Sequence, residues 1–472
     1  MDRKGAKMQG PGMRGGPRVR LFGVVLAGAL MATACSGPGG SAGRSGNDAP
    51  RTIPQPVVPA DLPVAQGSER VDLAMPTFSD PTNITNPLFP VGEASSNLLL
   101  GTVDGRAFRT EVTVLPDTRI IEWGGQPVET LVSQYVAFLG GRLHEVAYDF
   151  YAQADDGSVW YFGEDVFNFK DGAISDTHGT WIAGKDSPAA MIMPADPRLG
   201  DVYRPENIPG FVFEEVTVKT VGQTLQGPLG SLDGGLVVEE LHMDGNLEDK
   251  TFAPGYGEFY TAGGGDVEAL ALAVPTDATP GPVPAELETL SGGALDVFTA
   301  AGSADWTAAW ATVERMAAAW QVYRSGEVPQ MVEPRMAGAL EALARAVSDR
   351  AVPRAKQAAI DTAQWSLDLQ LRFRPAAEID LARFDLWLAQ LMVDAATGEA
   401  ASVNGDFFTL DYIRDRIENT LHGADRTRID TQLEALYEAV SAARAAHDRA
   451  ASGELSAAAD TAGQLREVVA GL

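Results

Sequence analysis

The chain predicts an α+β multidomain protein: an antiparallel β domain (curved sheet or sandwich) followed by an all-α up-and-down helical bundle. Three observations carry this expectation. Residues 71–274 hold short runs of β-branched and aromatic residues, separated by Gly, Asn, Asp and Pro turn signals. A linker at 275–300 is marked by Pro275, Pro280, Pro282 and Pro284. Beyond it, residues 303–470 are rich in Ala, Leu, Arg, Glu and Asp, with almost no strand signal.

In the β domain the clearest strands are 109–115, 130–139, 143–152, 159–162, 212–221, 236–243 and 257–261. Most alternate apolar and polar residues, as half-buried antiparallel strands do. In Leu143 to Tyr151 the alternation sets Val146, Tyr148 and Phe150 on one face. The Asp156-Gly157 turn then leads into Val159-Trp160-Tyr161-Phe162, which predicts a hairpin.

In the helical region Trp306, Trp310, Val313, Ala317 and Trp320 fall on one stripe of a helix. Ile429, Leu433, Leu436, Val440 and Ala443 repeat the same steps. Pro334, Pro353 and Pro375 each suit a first helical turn and divide the region into segments of one to two dozen residues. Six or seven helices are expected.

The amino-terminal end reads as an export signal over residues 1–34. Bases up to Arg20 precede the apolar run Leu21 to Ala34, which is too short to span a bilayer but right for a signal-peptide core. The only cysteine of the chain, Cys35, follows at once, so no intramolecular disulfide and no cysteine-based zinc cluster can form. Ala32-Thr33-Ala34-Cys35 resembles the lipobox of bacterial lipoproteins. That resemblance implies cleavage before Cys35 and lipidation on its thiol, anchoring the protein on the outer face of the cell membrane. Two acyl chains give durable anchoring, at roughly 0.8 kcal/mol per buried methylene. Ala32 stands where the lipobox usually has leucine, and Ala32-x-Ala34 also satisfies ordinary signal peptidase, whose product is secreted. Residues 35–66, rich in Gly, Ser, Pro and Ala, read as a disordered tether.

Two further resemblances follow from motifs. Asn86-Pro87-Leu88-Phe89-Pro90, Val159-Trp160-Tyr161-Phe162-Gly163-Glu164, Gly179-Thr180-Trp181, Met193-Pro194-Ala195-Asp196-Pro197 and Ala253-Pro254-Gly255-Tyr256-Gly257 together resemble a family of exported bacterial proteins of uncharacterised activity. The resemblance covers about residues 86 to 262 and implies no catalytic residue or cofactor. The helical region loosely resembles the bundles of imelysin-class envelope proteins, but lacks their His-x-x-Glu motif.

Charge and motifs exclude several functions. The formal charge is −28, and the export signal holds six bases against one acid, so the remainder is more negative still. Such a surface repels phosphate backbones, which excludes nucleic acid as a partner. The five histidines, at 144, 178, 242, 422 and 447, show no ligand spacing, and no P-loop or haem motif is present. Gly39-Gly40-Ser41-Ala42-Gly43 falls in the tether, where no nucleophile elbow can be built, and Gly263-Gly264-Gly265 reads as a turn. No catalytic residue, metal or cofactor is assigned.

Two weaker candidates remain. Trp160, Tyr161 and Phe162 form a ligand surface if the sheet curls, against the plainer reading that alternate members fill the core. Asp361 and Asp368 share a helix face with Trp365, and Asp380 and Asp385 follow beside Trp387. Facing carboxylates in a bundle bind hard cations, against the plainer reading of a solvated acidic face. The leading functional expectation is a non-catalytic envelope lipoprotein that binds an unknown protein or small molecule. The alternatives are a carrier for a hydrophobic molecule in a curved-sheet cavity and a carboxylate-dependent hydrolase.

Overall fold

The computed structural model describes residues 52–59, 62–92, 96–421, 424–446 and 452–469. The expected export signal over residues 1–34, Cys35, most of the expected tether, His422 and His447 lie outside the described residues. Within them the architecture is the expected α+β order, a large antiparallel sheet followed by helices.

The strands are β1 (Ser96–Val103), β2 (Arg106–Trp123), β3 (Gln126–Leu139), β4 (Arg142–Gln153), β5 (Val159–Lys170), β6 (Ala173–Asp176), β7 (Trp181–Ile182) and β8 (Ala190–Met193). They continue as β9 (Val202–Ile208), β10 (Val212–Gln226), β11 (Ser231–His242), β12 (Leu247–Ala253), β13 (Gly257–Gly263) and β14 (Asp266–Val274). All join one sheet in the order β6-β5-β4-β3-β2-β1-β14-β13-β12-β11-β10-β9, with β7 and β8 pairing on β5. β1 pairs antiparallel with β14, Ser96 opposite Val274, so the two ends of the domain meet in the middle of the sheet. β9, at one end of the path, packs beside β8 and β5 near the other. The sheet is therefore curled upon itself without closing, a single curved sheet rather than a sandwich.

The expected hairpin is β4–β5, with Tyr151 opposite Tyr161 and Gln153 opposite Val159. On β4 the pleat sends Val146 and Tyr148 to the outer face and Ala147 and Asp149 to the inner one. Gly163 bends β5 at φ +111°, and any Cβ there would meet the Trp181 carbonyl oxygen at 2.1 Å, so only glycine lets β7 approach. The Gly263-Gly264-Gly265 run is the turn between β13 and β14.

The tether expectation is corrected at its far end. Ile53 is buried, its N–H donates to the Leu73 carbonyl at 3.0 Å, and the Ala65 N–H donates to Glu215 Oε1 at 2.6 Å. One apolar side chain and a few backbone donors suffice to lay this Pro-rich stretch along the sheet.

The helices are α1 (Ala285–Gly302), α2 (Trp306–Tyr323), α3 (Glu333–Ser348), α4 (Val352–Gln370), α5 (Ala376–Thr397), α6 (Ala400–Ile417), α7 (Ala424–Ala446) and α8 (Ser452–Val469). Eight are thus described, where six or seven were expected. The extra one is α1, which occupies most of the expected 275–300 linker. Only the proline stretch is linker, because Pro284 ends it at the α1 N-cap and Leu287, Leu290, Ala294 and Val297 are buried. Ser291-Gly292-Gly293 hides the helix in the sequence. Gly293 serves packing, since a Cβ there would sit 2.7 Å from Met316 Cγ.

The α2 stripe is also corrected. Trp310 and Ala317 are exposed, and the buried face is Ala309, Thr312, Val313, Met316 and Trp320. Trp310 lies along the surface with its indole N–H donating to Glu314 at 3.0 Å. On α7, Ile429, Leu433, Leu436 and Val440 are buried against Ala458, Ala462 and Leu465 of α8. The Ala443 side chain is outside the described set. Among the described residues no helix is long and apolar enough to cross a membrane.

The bundle covers the outer face of the sheet. Leu98, Leu100 and Leu272 pack into the α1–α4 core, and Val136, Phe138, Leu143 and Val146 pack with Tyr412 of α6. A buried ion network crosses this junction. Asp368 takes Arg109 at 2.8 Å and Arg383 at 2.7 Å, while Glu111 takes Arg109 at 2.6 Å and Arg416 at 2.7 Å. Asp380 takes Arg383 at 2.9 Å. Three guanidiniums thus face three carboxylates, and burial is tolerated because the charges balance. Deleting one member would strand a buried charge, at a cost of about 3–5 kcal/mol.

Candidate functional site

The inner face of the curled sheet is built very differently. Its inward positions carry Asp149 on β4, Glu206 on β9, Glu214 on β10, Glu258 on β13 and Glu268 on β14, all lining one cavity of about 170 Å³. Glu145, Glu164, Glu240 and Glu248 are buried nearby and couple electrically to this group. Lys250 on β12 is the one ammonium that lines the cavity. Tyr135, Tyr151 and Tyr161 complete a polar wall.

The clustering follows from strand register. Glu206 lies opposite Glu214, Glu214 opposite His242, and Glu240 opposite Glu248. Glu240 and His242, two apart on β11, share the inner face with their cross-strand partners. His242 Nε2 lies 3.0 Å from Glu248 Oε2, and its Nδ1 lies 3.6 Å from Glu214 Oε1. Lys250 pairs with Glu240 at 2.7 Å. Further round, the Tyr161 hydroxyl donates to Asp149 Oδ1 at 2.8 Å, the Trp181 indole N–H donates to Glu206 Oε1 at 3.3 Å, and Thr110 donates to Glu268.

Partners run out before carboxylates do. Among the described residues no N–H or hydroxyl donor reaches either oxygen of Glu164, Glu206 Oε2 or Glu145 Oε1, and these oxygens of Glu164 and Glu206 have only each other, as a carboxyl–carboxylate pair. Burial raises these acids, and their neighbours' charges add to it. Glu145 is pushed to about 8 by burial and Asp149, and Glu268 to about 8 by burial and Glu258. Burial lifts Asp149 and Glu206 to about 7 despite hydrogen bonds that work the other way. Glu164 and Glu214 stand well above the usual range, through burial and then Glu206 and Glu240 respectively. Glu240 is the exception. Burial pushes it up, but Lys250 and His242 outweigh that and hold it low. His242 is disfavoured as a cation by burial, yet Glu248 and Glu240 raise it. Chemically, the interior can hold protons, or a small positive ion in their place.

Of the expected ligand surface, Trp160 and Phe162 pack with Trp123 in the core, and Tyr161 alone lines the cavity. The four acids of the bundle are not brought together as a cation cage. Asp368 and Asp380 are neither solvated nor free, because the junction network saturates them with arginine. Asp385 is held by Arg466 at 2.7 Å and 2.9 Å. Asp361 accepts from Gln357 at 3.1 Å, beside Trp365 in a separate cleft of about 500 Å³ between sheet and bundle. Glu145 belongs to the acidic interior, and His144 is the extra residue of a bulge, since Glu145 lies opposite Ala137 and Leu143 opposite Phe138.

Sequence reasoning missed the interior because its members come from strands far apart in the chain. One local signal was present, the Glu240-Leu241-His242 alternation, which places both polar groups on one face. The chain matches no protein-family model, no curated protein and no solved structure.

The raised carboxyls bind protons more tightly in the folded state than in the unfolded one. Their stabilising contribution is complete below the ordinary carboxylate range and is lost as pH rises through 7 to 8. The melting temperature should therefore fall by several degrees between about pH 5 and pH 8.5. Replacing Glu145 and Glu268 together by Gln should flatten that slope; a wild-type profile that is flat or rising over this window would contradict the assignment.

Proposed function

We propose that this chain is an exported, lipid-anchored envelope protein, and that it captures a small cation inside its curled sheet without catalysing a reaction. The observation that carries the binding half is the excess of buried carboxylates over donors: Glu164 and Glu206 have three oxygens that no N–H or hydroxyl reaches and that have only each other as partners, in an interior with one lining ammonium. Native proteins leave few such groups unsatisfied, so a cluster of them argues for a ligand.

Size and polarity support a small charged occupant over a hydrophobic one. A cavity of about 170 Å³ holds the liquid volume of roughly five or six waters. It is smaller than the 300–1,000 Å³ or so of typical organic-ligand pockets. Ionisable carboxyls around it disfavour an apolar guest. The anchoring half rests on Cys35 at the end of the export signal. A tether of Gly, Ser and Pro would hold the binding domain away from the membrane surface.

Isothermal titration of the full-length protein in detergent, against divalent metal ions and short diamines, tests the binding half. At least one cation should bind stoichiometrically, and Glu164→Gln with Glu206→Gln should weaken it at least tenfold. Absence of binding across the panel would reject the reading. For the anchor, Cys35→Ser should move the protein from the membrane fraction to the soluble one; unchanged fractionation would reject lipidation at that thiol.

A further inference from the structure

We infer that the β9–β12 end of the acidic interior is a site for a divalent transition-metal ion of the zinc class, ligated by His242, Glu214 and Glu240. This rests on the cation-binding reading above and names the ligand class for that chamber. One ligand atom from each of the three residues lies within 4.8 Å of the others. Metal–nitrogen and metal–oxygen bonds of about 2 Å place ligand atoms roughly 3–4 Å apart, so small side-chain rotations close the site.

Three features beyond the cluster itself point to a metal. Glu206, opposite Glu214 in register and lining the cavity with it, has a buried Oε2 that no N–H or hydroxyl donor reaches, a further oxygen on the Glu214 side that a metal can recruit. Glu248 Oε2 lies 3.0 Å from His242 Nε2 and can take that N–H, which leaves Nδ1, on the Glu214 side, to meet the metal. Carboxylates commonly orient metal-bound imidazoles in this way. The strands also hold the ligands on regular sheet positions rather than on a loop, so the geometry is fixed before binding.

The donor set selects the metal. Calcium seeks six to eight oxygens and magnesium an octahedron with several waters, and neither favours imidazole. One nitrogen with two or three carboxylates in a tight cluster suits zinc, cobalt or copper. Two carboxylates against one dication also balance charge. Lys250 is the built-in competitor: its ammonium sits 2.7 Å from Glu240, and a metal must displace it from that oxygen. A purely structural ion pair predicts no gain of metal binding when Lys250 is removed, whereas competition does.

The test uses the full-length protein stripped with a chelator. Titration with Co²⁺ and Zn²⁺ should show one equivalent bound, His242→Ala should weaken binding at least a hundredfold, and Lys250→Met should tighten it. Glu239→Gln, whose residue pairs with Lys219 away from the cavity, should leave affinity within about threefold. Should His242→Ala fail to fold, Cu²⁺ bound to the wild-type protein should still show the magnetic signature of one imidazole nitrogen, and its absence would overturn the site. Metal binding of equal strength in folded His242→Ala overturns the site but leaves the acidic chamber as the binding place. Binding of a diamine with no transition metal does the same. If neither metal nor diamine binds, the inference and the reading beneath it fall together.

Discussion

A carboxylate withdrawn from water loses several kilocalories per mole of hydration unless a counter-charge, a set of donors or a proton compensates it. The curled sheet imposes that problem many times over, because its concave face gathers acids from β4, β5 and β9 to β14 into one small space. A flat sheet with the same residues would leave that face in water. Curling brings β9 beside β5 and β8, and the acids become an interior. The charge state of that interior sets the stability of the β domain and what it can hold.

The same protein solves the problem in the ordinary way on the sheet's other face. At the junction with the bundle, Glu111, Asp368 and Asp380 are matched by Arg109, Arg383 and Arg416, and burial there fixes how sheet and helices meet. Charge neutrality makes that network architectural. The inner face could have been matched likewise, but Lys250 alone lines the cavity against five carboxylates. The two faces of one sheet thus differ in charge balance: arginines match the carboxylates at the junction, whereas carboxylates outnumber cations in the interior.

Much of the architecture was legible from residue patterns. Alternation in Leu143 to Tyr151 and the Asp156-Gly157 turn gave the β4–β5 hairpin, and the Ile429 to Val440 spacing gave the buried face of α7. The α1 helix was hidden because Ser291-Gly292-Gly293 depresses helix propensity where tertiary packing of Leu287, Leu290 and Val297 restores it. The carboxylates of the bundle were visible as a stripe, but their arginine partners come from β2 and from other helices, so local spacing could not show them as neutralised. The acidic interior was the least legible, since Glu206, Glu214, Glu240, His242 and Glu248 become neighbours only through sheet register.

The role proposed for the acid-lined chamber is to hold a small cation. Its occupancy is open to direct measurement. Native mass spectrometry of protein purified from its own host, compared with the same protein denatured, should show the folded form heavier by the mass of a small bound cation. Identical masses in the two states, under conditions that preserve weakly held ions, would contradict the claim that the interior exists to hold one.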